Sequence, residues 1–501
     1  MAVQPLAKTS AVPALLPFGV IDVGSNSVRL VVFDEPLRLP TPMFNEKVLC
    51  GLGRGLSETG ALDSRGAEQA LTAIRRFVAL ARHMKVKGLQ IVATAAVREA
   101  SNGAAFVRQI ERDTGEKVRI LSGIEEATYS AFGVLSGIPE ARGVMGDLGG
   151  GSLELVAING DELGDRVTLP LGPLRIPSLG SYGAIKKYID EQLATVGWLK
   201  KWKGTSLYAV GGSWRAIARV HMAQKQSPLQ IIHQYTLSRA EANDFSRLLA
   251  KQSKESLLRT QGVPRRRQEV LPLAALVMRR VLKAMEPKDV VFSANGLREG
   301  LAYALLAEQQ RAEDPLLAFC RHMASRESRF GEHGAEIDRF IAPIFERDPP
   351  ARQRIRLAAA ILSDMAWRVH PEYRGEDSLG AILHAPFGNI LQNERALLAL
   401  MLFVRYTGGA SDPVAAPATQ LLNGEEIEYA QRVGLALRLA QTLSAGVPGI
   451  LSDCRLRPNG NGILLELPAR HAVLDGEAVQ RRTEALGKAL GRSSEVRVLK
   501  R

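Results

Sequence analysis

Residues 143–158 read GVMGDLGGGSLELVAI. A short apolar run ends on Asp147, a glycine-rich turn follows, and a second apolar run opens at Leu153, which predicts two strands joined by a tight turn. Near the N-terminus the pattern recurs: FGVIDVGSNSVRLVVFD (18–34) places Asp22 at the end of one run and a second run beyond the turn. DVGSNS (22–27) and DLGGGS (147–152) both fit D-x-G-x-x-S. A repeat of such long period predicts two lobes of like design facing one cleft.

Working outward, apolar residues at helical spacing predict a helix over about 64–84. LQIVATAAV (89–97) reads as a buried strand, about 102–114 as a helix, KVRILSG (117–123) as a strand, and another helix begins near Ile124. Strand–helix alternation continues through LYAVGG with SWRAIARVHM, and DVVFSANG with LREGLAYALLAEQQ, to about residue 310. From 315 to 445 nearly everything reads as amphipathic helix rich in Ala, Leu and Arg. Beyond 446 two short strands flank Pro458-Asn459-Gly460-Asn461-Gly462, then come a helix over about 476–490 and a closing strand, SEVRVLK. A chain of 501 residues is too long for one core. The expected domains are 15–137, 138–310, 311–445 and 446–501: two α/β lobes, a helical domain and a small α/β appendage.

Composition narrows the partners. The formal net charge of +13 attracts anions. Only 5% of residues are aromatic, no Arg/Lys cluster is interleaved with stacking rings, and no helix-turn-helix, zinc-finger or ribonucleoprotein motif occurs. A poly-anion without bases accounts for the charge as well as nucleic acid does, and we expect no nucleic-acid partner. No apolar run reaches the roughly 18 residues of a membrane span, so no membrane partner is expected. The N-terminal MAVQPLAKTSAVPALLPF has a lone Lys8 and carries Pro13 and Pro17 in its apolar stretch, and it reads as a disordered leader rather than a signal peptide. Cys50, Cys320 and Cys454 are scattered without metal-ligand spacing, which fits a reducing cytoplasm.

The turns carry the chemistry. Gly149-Gly150-Gly151-Ser152 and Gly24-Ser25-Asn26-Ser27 let backbone amides approach phosphate oxygens and form an anion nest. The strand-end carboxylates Asp22 and Asp147 suit Mg²⁺, which takes a couple of carboxylates plus phosphate oxygens and waters. The turns are not a P-loop, since no G-x-x-x-x-G-K-[ST] occurs, nor a dinucleotide fingerprint, since a strand rather than a helix follows each.

In this order, IDVGSNSVRLVVF, ATAAVREASN, ILSGIEEATYSAFG, GDLGGGSLELV, AVGGSWRAIA and FSANGLREGLAY resemble the exopolyphosphatase/guanosine-pentaphosphate phosphohydrolase (Ppx/GppA) family. The resemblance spans about 17–310, and more loosely the helical region to 445. It implies an α/β fold of two actin-like, ribonuclease H-like (ASKHA) lobes, followed by an all-α HD-like domain. It implies release of terminal orthophosphate from inorganic polyphosphate in the cytoplasm, by a homodimer using Mg²⁺ or Mn²⁺. Residue by residue, it makes Glu126 the base that activates water, and Asp147 and Glu154 acids of catalysis and metal binding. Asp22 becomes a further metal residue and Arg98 a phosphate-binding arginine. Ser25, Asn26, Gly149, Gly150, Gly151 and Ser152, with Gly24, form the loops around the phosphate. Gly211, Gly212 and Ser213 form a third loop, with Ser213 where the family usually has Thr.

Apart from the resemblance, Glu126 falls in the first turn of a helix, where the positive helix end favours a carboxylate. Glu125 points to a different face. Trp214 is read as filling the pocket that takes adenosine in kinases of this fold, or as core. In the HD-like helical domain that the resemblance implies, Ser363 stands beside Asp364 where the His-Asp pair would have its His, so no second hydrolytic metal site is expected, and His370 and His384 lie outside the pattern. Arg265-Arg266-Arg267 and Lys200, Lys201 and Lys203 are read as guides for the phosphate chain or as solvated faces. The rival functions are hydrolysis of guanosine pentaphosphate, a sugar- or acetate-kinase-like transfer, and non-enzymatic sensing of poly-anions.

Overall fold

Alternation along β1 (Phe18–Val23) fixes which way its last polar side chain faces. Ile21 and Val23 enter a core with Ile74, Phe77 and Val78 of helix Ser64–His83. Phe18 and Val20 enter another with Leu301 and Ala302 of helix Leu297–Ala304. Asp22 shares the second face and emerges from it at the strand's end. The computed structural model describes residues 17–34, 38–253, 256–257, 268–331 and 333–499. The expected leader, apart from Pro17 and Phe18, and the Arg265-Arg266-Arg267 cluster lie outside these residues.

β2 (Ser27–Phe33) pairs antiparallel with β1, and β3 (Pro42–Leu49) antiparallel with β2. β4 (Gly88–Ala93) runs parallel to β1 and β5 (Val118–Ile120) parallel to β4, giving the order β3-β2-β1-β4-β5. The second sheet contains β6 (Arg142–Leu148), β7 (Leu153–Asn159), β8 (Glu162–Leu169), β9 (Ser206–Val210), β10 (Tyr235–Ser238) and β11 (Asp289–Phe292). Its order is β8-β7-β6-β9-β11-β10, the first sheet's arrangement with one edge strand added. The duplication legible in the two turns therefore extends to whole sheets.

The same parity argument holds in the second lobe. Met145 of β6 and Val156 and Ile158 of β7 enter a core with Ala127, Ala131 and Val134 of helix Gly123–Gly137. Asp147 and Glu154 lie on that same face. Leu301 and Ala302 pack in the first lobe's core, whereas Tyr303 and Leu306 pack in the second's.

Two expectations need correction, and two strands carried none. Residues 95–97 belong to a short helix, Ala95–Glu99, because the β1–β4 ladder ends at Ala93. LREGLAYALLAEQQ is not one helix: it stops at Ala304 and resumes at Glu308–Ala312. Strands β3 and β8 went unrecognised, since PMFNEKVL and ELGDRVTL are mostly solvent-accessible edge strands whose polar residues blur the alternation.

The chain forms two compact units: residues up to Gln224 with Thr236–Ala312, and Lys225–Tyr235 with the remainder from Glu313. The second unit holds the helices Pro315–Glu327, Pro350–Leu362, Arg374–His384, Gln392–Thr407 and Gly424–Ser444, among others. It ends in a sheet of β12 (Arg455–Asn459), β13 (Gly462–Leu467) and β14 (Ser493–Val498), with helix Glu477–Ala489 before the last strand. Residues 225–235 belong here because Gln392 Nε2 donates to the Ile231 carbonyl and Gln234 Oε1 accepts from the Ile390 amide. No helix among the described residues is long and apolar enough to cross a membrane.

Candidate active site

The two aspartate turns close in the same way. Gly24 N donates to Ser27 O at 3.0 Å, and Gly149 N donates to Ser152 O at 3.0 Å. They face each other closely: a Cβ added to Gly150 would stand 3.4 Å from Ser25 Cβ, and one on Gly151 3.4 Å from Ser25 Oγ. Gly211 completes the floor with φ +93°, and a Cβ there would strike Leu148 O at 2.5 Å and Asp147 Oδ1 at 2.8 Å. Only glycine meets both demands. Helices Gly212–Gln224 and Leu297–Ala304 begin at the same place, bringing the positive ends of their dipoles to it. The result is a cavity of about 440 Å³ at the carboxyl ends of β1, β4, β6 and β9.

The cavity gathers several acids. Asp147 lies directly opposite Glu154 in the β6–β7 register, a like-charge pair that costs stability. Glu154 is 1% exposed and its Oε1 has no hydrogen-bond partner. Burial, and then the charges of Glu126 and Asp147, push its carboxyl well above the ordinary range. Asp147 is raised as well, mainly by burial, against a 2.7 Å hydrogen bond donated by Ser130 Oγ.

Glu126 shows how one position changes a carboxylate. Ser122 caps helix Gly123–Gly137 and exchanges hydrogen bonds with Glu125, a capping box. Glu125 turns outward to Arg119, and its hydrogen bonds from Ser122 and Arg119 hold it down at about 2. Glu126 turns inward. Burial, opposed by the charge of Arg98 and reinforced by Asp147 and Asp22, pushes its carboxyl up to about 7.

Cations share the lining with these acids. Arg29, Lys47, Arg215, Arg219 and Arg298 all line the cavity. Arg298 Nη1 meets Asp22 Oδ2 at 3.0 Å. Burial, with the nearby charge of Arg298, lowers Arg29 and Arg215 to about 10, so both stay charged at neutral pH. None of these cations was singled out from the sequence. A signal existed: Arg29 follows Asp22 by the interval at which Glu154 follows Asp147, and each faces its aspartate across the ladder. Aligning the repeats residue by residue exposes a cation in one lobe where the other has an acid.

The sequence profile of the Ppx/GppA phosphatase family matches residues 31–309, more than half of the chain. The chain belongs to the Ppx/GppA phosphatase family. A profile described as exopolyphosphatase, C-terminal, matches residues 329–496. Exopolyphosphatase 1 of Mycobacterium tuberculosis (strain H37Rv) is 28% identical over 300 residues, which is 56% of this chain and 86% of that protein. Retrograde regulation protein 2 of Saccharomyces cerevisiae is 28% identical over 439 residues, 78% of this chain and 72% of its own. The crystal structure of an exopolyphosphatase from Cytophaga hutchinsonii superposes with TM-score 0.53 at 23% identity, covering 58% of this chain and 97% of that one, and bears on the fold. The chain is accordingly a phosphatase hydrolase with the two-lobed actin-like fold.

Within this Ppx/GppA cavity the structure assembles Asp22, Gly24, Ser25, Asn26, Glu126, Asp147, Gly149, Gly150, Gly151, Ser152, Glu154, Gly211, Gly212 and Ser213. Arg98 is the exception. It stands beside Glu126, donating to Glu126 Oε2 at 3.3 Å and to the Leu121 carbonyl at 2.6 Å, and is not part of the cavity lining. Trp214 fills no ligand pocket: it is fully buried against Gly146, with Nε1 donating to the Ala274 carbonyl. Lys200, Lys201 and Lys203 lie away from the cavity, and Lys203 pairs with Glu286 at 3.0 Å.

The donor set fits a divalent cation that keeps water. Among the described residues no three acidic or imidazole side chains converge on one point, so Asp22, Asp147 and Glu154 form no closed cage. Asp22 is engaged by Arg298, whereas Glu154 keeps an orphaned oxygen beside Asp147. Mg²⁺ needs only one or two carboxylates when phosphate oxygens and waters complete its shell.

Proposed function

We propose that this chain releases terminal orthophosphate from inorganic polyphosphate, with Glu126 as the base that activates water. The observation that carries the reading is a buried carboxylate, pushed up to about 7, that lines one cavity with Asp147, Glu154, the glycine turns and five cations. The loop amides grip the terminal phosphoryl group, and Arg29, Arg215 and Arg298 hold the charge behind it. Glu126 takes a proton from water as its oxygen joins phosphorus; the bridging P–O bond breaks and the bridging oxygen leaves with the shortened chain. Asp147 and Glu154 are the residues that would hold Mg²⁺, which when bound supplies positive charge against the phosphoryl oxygens. The proposal includes a homodimer and a cytoplasmic setting, both drawn from the family. Among the described residues lining the cavity none is aromatic, which favours a phosphate chain over a purine to be stacked.

The test is orthophosphate release from medium-length polyphosphate and from guanosine pentaphosphate, with and without chelator. We expect release that is faster on polyphosphate and abolished by chelation. Tight binding of both substrates without release would mean a sensor and overturn the proposal.

The pH profile supplies a second check. With Glu126 near 7, kcat/KM should rise with pH through about 7 and level off above it, since only the ionised base accepts a proton. The charge of Arg98 lowers Glu126. Arg98→Met should therefore move this limb to higher pH while largely restoring the rate at alkaline pH. An unmoved limb would remove Arg98 from its positioning role.

A further inference from the structure

The chemistry above leaves unused a second cavity, of about 290 Å³, lined entirely by residues of the second unit. Arg329, Arg374, Arg405, Arg438 and Arg482 surround it, and Asp364 is its sole carboxylate. It occupies the place of the expected His-Asp pair. Ser363 stands where the resemblance would place a histidine, and the buried Asp364 accepts from Arg329 at 2.6 and 2.9 Å. That pairing satisfies the carboxylate, so five cations of the lining face a single acid.

We propose that this cavity is a second anion site, built for a compact di- or triphosphate group. The guanidinium groups are held in place without being neutralised: Arg374 donates to the Val369 and Trp367 carbonyls, and Arg438 to the Tyr406 carbonyl. Arg405 lies over Tyr406, 4.0 Å from the ring centroid, and its buried Nε has no hydrogen-bond acceptor; Arg482 Nε is buried and unmatched in the same way. Burial and neighbouring cations depress Arg405, Arg438 and Arg482, with Arg438 at about 10, and a bound polyanion would relieve this. Guanidinium forks match phosphate oxygens pairwise, and so many charges require more than a single carboxylate or orthophosphate to balance them. The volume lies at the lower edge of the roughly 300–1,000 Å³ usual for ligand sites, too small for an enclosed nucleotide. Both aromatic residues of the lining, Trp367 and Tyr406, already carry a guanidinium, from Arg368 and Arg405. The shared chemistry is therefore the phosphoanhydride group, whether from an inorganic oligophosphate or from the tail of a nucleotide.

The experiment is calorimetric titration of the full chain with tripolyphosphate under chelator, repeated with guanosine triphosphate and with sulfate. The wild-type chain should bind tripolyphosphate at two sites. The Arg438→Gln/Arg482→Gln double variant should keep one site, lose at least ten-fold in affinity at the other, and retain its basal rate of phosphate release. Removing like charges should leave its melting temperature unchanged or raised. Should the double variant fail to fold, Arg405→Met, which keeps the packing on Tyr406, provides the same readout. Equal affinity for guanosine triphosphate would identify the nucleotide tail as a ligand, and discrimination against it an inorganic chain; both outcomes uphold the site. Two undiminished sites in the variants, or sulfate binding as tightly as tripolyphosphate (an adventitious ion only), would overturn it.

Discussion

Glu126→Gln is expected to lower kcat by about 10²–10⁴-fold, to leave polyphosphate binding near the wild-type level, and to stabilise the protein at pH 8. The third effect has the sign opposite to most active-site damage, and it follows from linkage. The Glu126 carboxyl is raised from 4.5 to about 7, so between those values the native state binds more protons than the unfolded chain. Stability attributable to this group therefore falls as pH rises from 4.5 to 7. Above 7 the cost of keeping the ionised carboxylate is complete, roughly 3 kcal/mol at about 1.4 kcal/mol per pH unit. Gln keeps the shape and removes the charge, offset in part by the partner that Arg98 loses. Melting curves at pH 5 and pH 8, beside phosphate release, test both halves. Full activity ends the assignment of the base, and a lower melting temperature at pH 8 ends the account of why its proton is held.

Gly300→Ala should be nearly as damaging, although Gly300 lies outside the cavity lining. Helices Gly123–Gly137 and Leu297–Ala304 meet backbone to backbone. A Cβ on Gly300 would stand 1.7 Å from the Tyr129 carbonyl oxygen, and one on Gly133 2.2 Å from the Gly296 carbonyl oxygen. Main-chain atoms inside paired helices cannot turn aside, so the helices must part. The first carries Glu126 and Ser130, the hydrogen-bond donor to Asp147; the second carries Arg298, the partner of Asp22. Overpacking costs about 1–3 kcal/mol, and backbone clashes belong at the upper end. A displacement near 1 Å at the reacting groups costs about 10²-fold in rate. We expect a lower melting temperature and at least this loss of kcat at a temperature where the variant remains folded. A wild-type kcat there would show that the helix spacing does not set the site.

The elements easiest to read were those whose pattern is local. The apolar run, the aspartate and the glycine turn of DLGGGS lie within a few residues, and the hydrogen bonds that close both turns are equally local. The helix over 64–84 and the tail hairpin were legible for the same reason: their periodicity and turn residues are self-contained. Strands β3 and β8 were not, because an edge strand owes its pairing to the neighbouring strand, and the end of β4 at Ala93 depended on the length of β1.

The candidate site divides along the same line. Sequence alone selected the two turns with Asp22 and Asp147, through residue type and short spacing, and the resemblance to the family added Glu126 and Glu154. Only the tertiary structure decided that Arg98 pairs with Glu126 outside the cavity lining, that Trp214 is core, and that Arg29, Arg215 and Arg298 share one cavity with the acids. It alone gathered five arginines between Arg329 and Arg482 around one small cavity. The physical reason is that a side chain's direction, burial and charged neighbours depend on residues hundreds of positions away. Asp22 meets Arg298 across the whole first unit, and no local pattern encodes that meeting.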